Sequence, residues 1–200
     1  AAACLAVAGD AAVPLSVHLD HAQDPALALE AIALGLDSIM IDQAHLDDDD
    51  NVRVTREVRI AAHASGVHVE AELGEVGGKD GAHAPGVRTD PEEARAFQAA
   101  TGVDALAVAV GSSHAMLDRS ASLDLDRIAA IRALVPVPLV LHGSSGVPDD
   151  EIRRAIAAGM TKINVATQLT KRFTAGMRHA LRDASVVDSR VALRVARERM

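Results

Sequence analysis

Two histidines and an acid stand close together near the start of the sequence, in the stretch Val17-His18-Leu19-Asp20-His21-Ala22. Pro14 to Val17 is predicted to form a buried strand, and Asp24-Pro25 a helix cap with the first helical position. His18 to His21 are therefore expected in a strand-to-helix loop. Imidazole and carboxylate groups at such a point are typical of a metal site or an acid–base site. The alternative is a capping acid beside a histidine that bonds to a backbone carbonyl.

Three histidines, His21, His114 and His142, directly follow three different strand-like runs. A catalytic zinc ion takes three protein ligands and keeps one position open, so convergence of these strand ends would create a zinc site. Asp20 adjoins one proposed ligand and could act as a general acid or base on a substrate held there. The alternative for Asp20 is a carboxylate that orients a histidine.

Two turns late in the chain are suited to an anion. His142-Gly143-Ser144-Ser145-Gly146 precedes a predicted helix at Pro148, and Lys162 to Thr167 precedes another. Backbone amides and hydroxyls at a helix N-terminus bind phosphate well. Lys162 could suggest a Schiff-base mechanism, but beside three histidines we interpret it as an ordinary strand or loop charge.

A repeated unit of helix, glycine and β-rich run must position these residues, and this alternation predicts a parallel sheet covered by helices on both faces. Six strand-like runs are recognised. The predicted helices span 26–34, 52–65, 91–101, 124–134 and 148–158, and the strands that follow them span 38–41, 67–71, 105–110, 138–141 and 162–165.

Nearly every predicted strand ends in a polar group, which is the pattern of a TIM (β/α)8 barrel, whose sites lie at the carboxyl ends of its strands. An open sheet would instead cluster such groups at one switch point. Because six units do not close a barrel, we expect that the first two N-terminal βα units are lacking here, with Ala1 to Gly9 as the tail of a preceding helix. Residues 1–200 are predicted to form one domain, and Gly74 to Val87 a mobile loop over the strand ends.

Composition limits the classes of partner. A hydrophobic content of 49% over 200 residues supports one sizeable core. The formal net charge of −8 argues against nucleic acid or an anionic membrane as partner, and an anionic substrate would need local donors. No apolar run approaches the ~20 residues that span a bilayer. Cys4, the single cysteine, fits a reducing compartment, so a soluble cytoplasmic protein is expected.

The sequence resembles the class II, zinc-dependent fructose-bisphosphate/tagatose-bisphosphate aldolase family. The resemblance runs in order from about Val13 to about Arg178. It is carried by His18-Leu19-Asp20-His21, Val69-Glu70-Ala71-Glu72-Leu73-Gly74, Gly77-Gly78, Thr89-Asp90-Pro91, Leu141-His142-Gly143-Ser144-Ser145-Gly146-Val147-Pro148 and Lys162-Ile163-Asn164-Val165-Ala166-Thr167.

Taken position by position, the resemblance implies a lyase of carbohydrate metabolism and glycolysis that reversibly cleaves a ketose 1,6-bisphosphate into dihydroxyacetone phosphate and glyceraldehyde 3-phosphate. It implies zinc on the three histidines, Asp20 as acid–base at the substrate C4 hydroxyl, and Asp42 and Glu72 as a second metal position or its supporting carboxylates. The residues matching those that hold dihydroxyacetone phosphate are Gly143, Ser145, Asn164 and Thr167. A homodimer or homotetramer is expected from the family.

The sequence also departs from the family pattern. Lys79 and Asp80 stand where a proton-exchanging glutamate is usual, so Asp80 becomes the candidate for that catalytic role. Ala115 replaces a usual glycine near the phosphate or a monovalent cation. Two alternatives to the aldolase are a metal-dependent barrel hydrolase, which uses a metal-bound hydroxide, and a non-catalytic remnant that binds a sugar phosphate.

Overall fold

A computed structural model describes residues 1–74, 76, 88–114 and 116–200, in which helices and strands alternate. The strands are β1 (His18–Ala22), β2 (Ser38–Ile41), β3 (His68–Leu73), β4 (Ala105–Val108), β5 (Leu139–Leu141) and β6 (Met160–Ile163). The helices are α1 (Ala2–Gly9), α2 (Pro25–Ala33), α3 (Asp48–Ala64), α4 (Pro91–Thr101), α5 (Leu125–Leu134), α6 (Asp149–Ala158), α7 (Thr167–Ala180) and α8 (Ser189–Glu198), with a one-turn 3-10 helix at Ser144–Gly146.

All six strands lie in one parallel sheet in the order β1-β2-β3-β4-β5-β6, so the predicted α/β alternation is confirmed for the described residues. In a flat sheet the two outer strands would lie about 24 Å apart, five spacings of about 4.8 Å. Instead, Asn164 Nδ2, just past β6, lies 3.5 Å from Asp20 Oδ1 on β1. The sheet is therefore strongly curved, as a half-barrel.

The two faces of this half-barrel differ in packing. Ile39, Ile41 and their counterparts on the other strands pack against helices α2, α3, α4, α5 and α6. Together they form one large apolar cluster on the convex side. Met40, Ala107 and Val140 form a small separate cluster on the concave side. Because side chains alternate between the faces of a strand, the same strands can seal the core and leave polar groups for the barrel interior.

Side-chain caps begin several helices where the sequence predicts them. Asp90 accepts hydrogen bonds from Glu92 N and Glu93 N at 2.8 and 3.2 Å, and Pro91 occupies the first turn of α4. Asp47 accepts from Asp50 N at 2.9 Å and so caps α3 at the start of an acidic run. Glycine in the left-handed region ends α4 at Gly102 (φ 68°).

Several boundaries differ from the predictions. The buried strand predicted at Pro14 to Val17 is wrong, because residues 13–16 are exposed and β1 begins at His18. Those residues lie outside the register in which β1 pairs with β2. β6 begins and ends two residues earlier than predicted, and α3 begins four residues earlier. The helix at the N-terminus is confirmed as α1, whereas most of the predicted 74–87 loop lies outside the described residues.

The C-terminal helices pack against each other at Gly176. A Cβ atom built on this glycine would lie 2.6 Å from Ala196 Cα in the backbone of α8. Among the helices that the structure describes, none is both long and apolar enough to cross a membrane.

We expect Gly176→Ala to destabilise the chain by about 1–3 kcal/mol, because the added methyl group meets backbone that can move only as a unit. Gly9→Ala in α1 is the matched control, since no atom lies within 4 Å of the Cβ that it adds. Urea unfolding followed by circular dichroism measures both. Equal midpoints for the two variants would contradict the packing described here.

Candidate active site

Three imidazole rings come together: His21 lies on β1, His142 directly follows β5, and His114 lies six residues past the end of β4. The centroid of the His21 ring lies 4.5 Å from that of His142 and 5.0 Å from that of His114, and the third pair is separated by 5.6 Å. With the carboxylate of Glu72, these rings offer one ligand atom each, all within 4.8 Å of one another. Of the residues predicted to bind metal, the three histidines and Glu72 are thus brought to one point.

An irregularity in β1 makes this convergence possible. The β1–β2 register shifts between Leu19 and Ala22, and His21 has a φ of 51°, in the left-handed region. Regular strand geometry would direct the neighbours Asp20 and His21 to opposite faces. The shift instead lets both line the same cavity, at the expense of a strained backbone.

Two buried carboxylates select the tautomer of two of the rings. Asp42 Oδ2 lies 2.7 Å from His21 Nδ1, and Glu70 Oε1 lies 2.8 Å from His142 Nε2. An ionised carboxylate only accepts hydrogen bonds, so the ring protons reside on those two nitrogens. The remaining nitrogens, His21 Nε2 and His142 Nδ1, face each other at 2.8 Å.

A divalent cation suits this arrangement. Two neutral imidazole lone pairs that point at each other repel unless a proton or a cation lies between them. Nitrogens that share a tetrahedral zinc ion are separated by about 3.3 Å, given Zn–N distances of about 2.0–2.1 Å, which is about 0.5 Å more than the 2.8 Å separation here. Three imidazoles and one carboxylate are also a donor set that zinc accepts, so the residues present fit the ion.

Behind His142, a charged pair crosses the half-barrel. Lys162 Nζ on β6 lies 2.6 Å from Glu70 Oε2 on β3. Burial alone would raise the pKa of Glu70, but the hydrogen bond from His142 and the charge of Lys162 outweigh burial and hold that pKa below its usual value. Burial, reinforced by Lys162, lowers the pKa of His18. Glu70 is therefore anionic and keeps His142 in one tautomer.

An open cavity of about 400 Å³ lies in front of the histidines. Its lining includes all four residues predicted to bind the phosphate-bearing half of the substrate, Gly143, Ser145, Asn164 and Thr167. The hydroxyl of Ser144 donates to the carbonyl of Asn164, and Gln168 N donates to Ser145 Oγ at 3.3 Å. The two anion-binding turns predicted from the sequence are thus joined along one wall.

Asp20 lies at the mouth of this cavity with 52% of its side chain exposed. Asn164 Nδ2 lies 3.5 Å and His18 Nε2 lies 3.9 Å from its carboxylate. The carboxylate that orients His21 is Asp42, so Asp20 is available to a molecule in the cavity. The other predicted catalytic acid, Asp80, and the substitution at Ala115 lie outside the described residues.

Sequence reasoning missed Glu70 and interpreted Lys162 as an ordinary charge. A signal was present, since Glu70 stands two residues before Glu72 and Lys162 two before Asn164. Residues separated by two share a face of a strand. Each missed residue therefore had to point into the same interior as a predicted site residue.

Comparison with known proteins gives consistent results. The family model Fructose-bisphosphate aldolase class-II matches residues 1–200. A provisionally assigned fructose-1,6-biphosphate aldolase from Coccidioides immitis is 34% identical with a TM-score of 0.86, and the match covers 98% of this chain and 71% of that one. The YdjI aldolase from Escherichia coli K12 is 32% identical with a TM-score of 0.85, covering 98% and 69%. Fructose-bisphosphate aldolase from Campylobacter jejuni, at 24% identity, a TM-score of 0.76 and coverage of 93% and 67%, shares the fold.

We expect Glu70→Gln to weaken zinc binding by about 10- to 100-fold, because the neutral amide no longer compels the ring proton of His142 onto Nε2. Competition with a chromophoric chelator measures the affinity. Glu92→Gln is the control, since Glu92 is an exposed acid paired with Arg95 on α4. Equal zinc affinities for the two variants would show that Glu70 does not act on the ligand.

Proposed function

The chain belongs to the class II fructose-bisphosphate aldolase family, and from this premise we propose that it catalyses zinc-dependent, reversible cleavage of a ketose 1,6-bisphosphate of the fructose or tagatose type. The products are dihydroxyacetone phosphate and glyceraldehyde 3-phosphate. One observation carries the proposal: the metal-binding cluster and two anion-binding turns border the same cavity, with Asp20 at its mouth.

Zinc is the proposed cofactor, held by His21, His114 and His142, with Glu72 as a nearby carboxylate and Asp42 supporting His21. When bound, it supplies Lewis-acid polarisation of the substrate C2 carbonyl. The arrangement that supports this choice is the pair of ring nitrogens, on His21 and His142, that the carboxylates leave facing each other.

The phosphate of the dihydroxyacetone half is proposed to lie against Gly143, Ser145, Asn164 and Thr167. These residues belong to two turns, and turns of this kind offer backbone amides; α7 begins at Thr167 in the wall itself. Such amides bind an anion without requiring a positive net charge, which suits a protein with a formal charge of −8.

Asp20 is proposed to act as the general base and acid for the C4 hydroxyl proton. During cleavage its carboxylate takes the proton of the C4 hydroxyl, the C3–C4 bond breaks with its electron pair left on C3, and C4 leaves as the aldehyde carbon. During condensation Asp20 returns this proton. Asp80 is proposed, from the family pattern alone, for the exchange of the C3 proton.

The family fold suggests that the half-barrel is part of a complete (β/α)8 barrel and that residues 1–200 act within one domain. Residues of β1 and of the segment just past β6 approach each other closely at the cavity, so the sheet has the curvature that a closed barrel requires. This curvature supports the proposal. A homodimer or homotetramer and a cytoplasmic location are proposed on family grounds alone.

We expect release of triose phosphate from fructose 1,6- or tagatose 1,6-bisphosphate to stop when a chelator removes metal and to return with added zinc. Coupled assays with both epimers measure turnover and identify the preferred substrate. Activity that survives complete metal removal would contradict the zinc mechanism. Metal-dependent hydrolysis of esters without phosphate would indicate the hydrolase, and binding of zinc and phosphate without turnover the non-catalytic remnant.

We expect Asp20→Asn to lower kcat by about 10²- to 10⁴-fold, because the amide cannot accept the C4 hydroxyl proton. Zinc affinity should stay within about twofold of the parent value, since Asp42 rather than Asp20 bonds to His21. Asp48→Asn, at the exposed start of α3, is the control. A parental kcat in Asp20→Asn would remove Asp20 from the mechanism.

A further inference from the structure

Two connections lie side by side at the top of the half-barrel. The first, which we call the His114 connection, comprises residues 109–114 and 116–124 between β4 and α5. The second, the anion turn, comprises residues 142–148 between β5 and α6. A Cβ on Gly143 would lie 2.6 Å from the Ser113 carbonyl, and one on Gly146 would lie 2.5 Å from Met116 Cβ. The connections are thus packed at backbone distance, and glycine permits this approach.

Arg119 joins the two connections by directed bonds. Its Nε and Nη2 donate to Val147 O at 2.9 and 2.7 Å, and Nη2 also contacts the carboxylate of Asp149, the first residue of α6. Next along the chain, Ala121 N donates to Gly146 O at 2.9 Å. Further on, Leu123 N donates to the buried carboxylate of Glu151 at 3.0 Å. The contacts form a continuous row from the anion turn into α6.

This row of contacts links two segments whose residues have different proposed functions. His114 belongs to the metal-binding cluster, whereas Gly143 and Ser145 line the phosphate wall. Arg119 reaches neither cavity nor cluster, and with a side chain 39% exposed it is held by its partners on the neighbouring connection. Moving the anion turn therefore moves the segment that carries His114.

We propose that Arg119 is a positioning residue that locks the His114 connection to the anion turn, so that phosphate and zinc each strengthen binding of the other. The inference rests on the proposed function, which assigns the two ligands to these groups. Its physical basis is reciprocity: a ligand that orders one connection lowers the cost of ordering the other, and the coupling acts equally in both directions.

Zinc affinity of the full 200-residue chain, measured by chelator competition at buffered nanomolar free zinc, is expected to rise about five- to tenfold at saturating inorganic phosphate. Arg119→Met should reduce this ratio to about one while keeping a similar side-chain length. Arg119→Lys keeps the charge but places its donors on a single nitrogen, which cannot reproduce the forked contact with Val147 O, so it should give an intermediate ratio. Arg95→Met, which removes an exposed arginine from an ion pair on α4, should behave as the parent.

A parental ratio in Arg119→Met would overturn the proposal, because phosphate would then act on the metal directly and not through the two connections. The same holds if the parent binds both ligands without coupling. Urea unfolding measures the stability of each variant. A general loss of stability would not change the ratio between the zinc affinities with and without phosphate.

Hydrogen exchange with phosphate alone provides a test that needs no metal. Phosphate should slow exchange of the Ala121 amide, which donates to Gly146 O, in the parent and in Arg95→Met but not in Arg119→Met. No change at Ala121 in the parent at saturating phosphate would overturn the proposal. A chain that fails to bind zinc would instead contradict the proposed function, and this exchange measurement would still decide on Arg119.

Discussion

The hydrogen bonds from His21 and His142 to buried carboxylates are the constraint on which the rest of the site depends. Asp42 and Glu70 are almost fully buried, and each accepts from one ring nitrogen. Because the acceptors cannot donate, the opposite nitrogen of each ring is left with a lone pair. Both lone pairs point to the same place. The preference for a cation therefore comes from the positions of Asp42 and Glu70, which contact the ligand rings from behind.

Burying Glu70 is costly, and the curvature of the sheet provides the compensation. A lone carboxylate in a barrel interior would take up a proton, which would release His142. The hydrogen bond from His142 and the charge of Lys162 together hold the pKa of Glu70 low; Lys162 crosses from β6 to β3 at 2.6 Å, and it can do so only because the half-barrel brings distant strands together. The small concave cluster of Met40, Ala107 and Val140 leaves room above it for these charged groups. Architecture and chemistry are thus coupled through one ion pair.

Close backbone packing also fixes the position of the turn at the cavity wall. Gly143 has a φ of 66° and lies against Ser113, so a larger residue would be excluded both by conformation and by space. Backbone amides of such turns supply positive potential locally, which matters on a chain whose formal charge is −8. An anionic sugar phosphate, as we propose, would therefore be recognised by fixed dipoles and not by the overall field.

Local signals in the sequence were sufficient for most elements and for the residues that converge. Aspartate before proline predicted the starts of α2 and α4, glycine predicted the end of α4, and polar residues at strand ends predicted the composition of the cavity. These signals succeed because capping and strand termination depend on a few neighbouring residues. The wrong strand at Pro14 to Val17 shows the limit, since an apolar run forms a strand only where a neighbour lies in register.

Only the tertiary structure decided how those residues are used. The sequence alone could not show that Asp42 rather than Asp20 orients His21, that a register shift and a φ of 51° bring neighbouring residues into one cavity, or that Lys162 pairs with Glu70 across 92 positions. The physical reason is that each of these outcomes depends on the curvature of a sheet, which is the sum of all strand pairings. Residue types determined which chemistry was available to this protein, and the curvature decided which atoms meet to perform it.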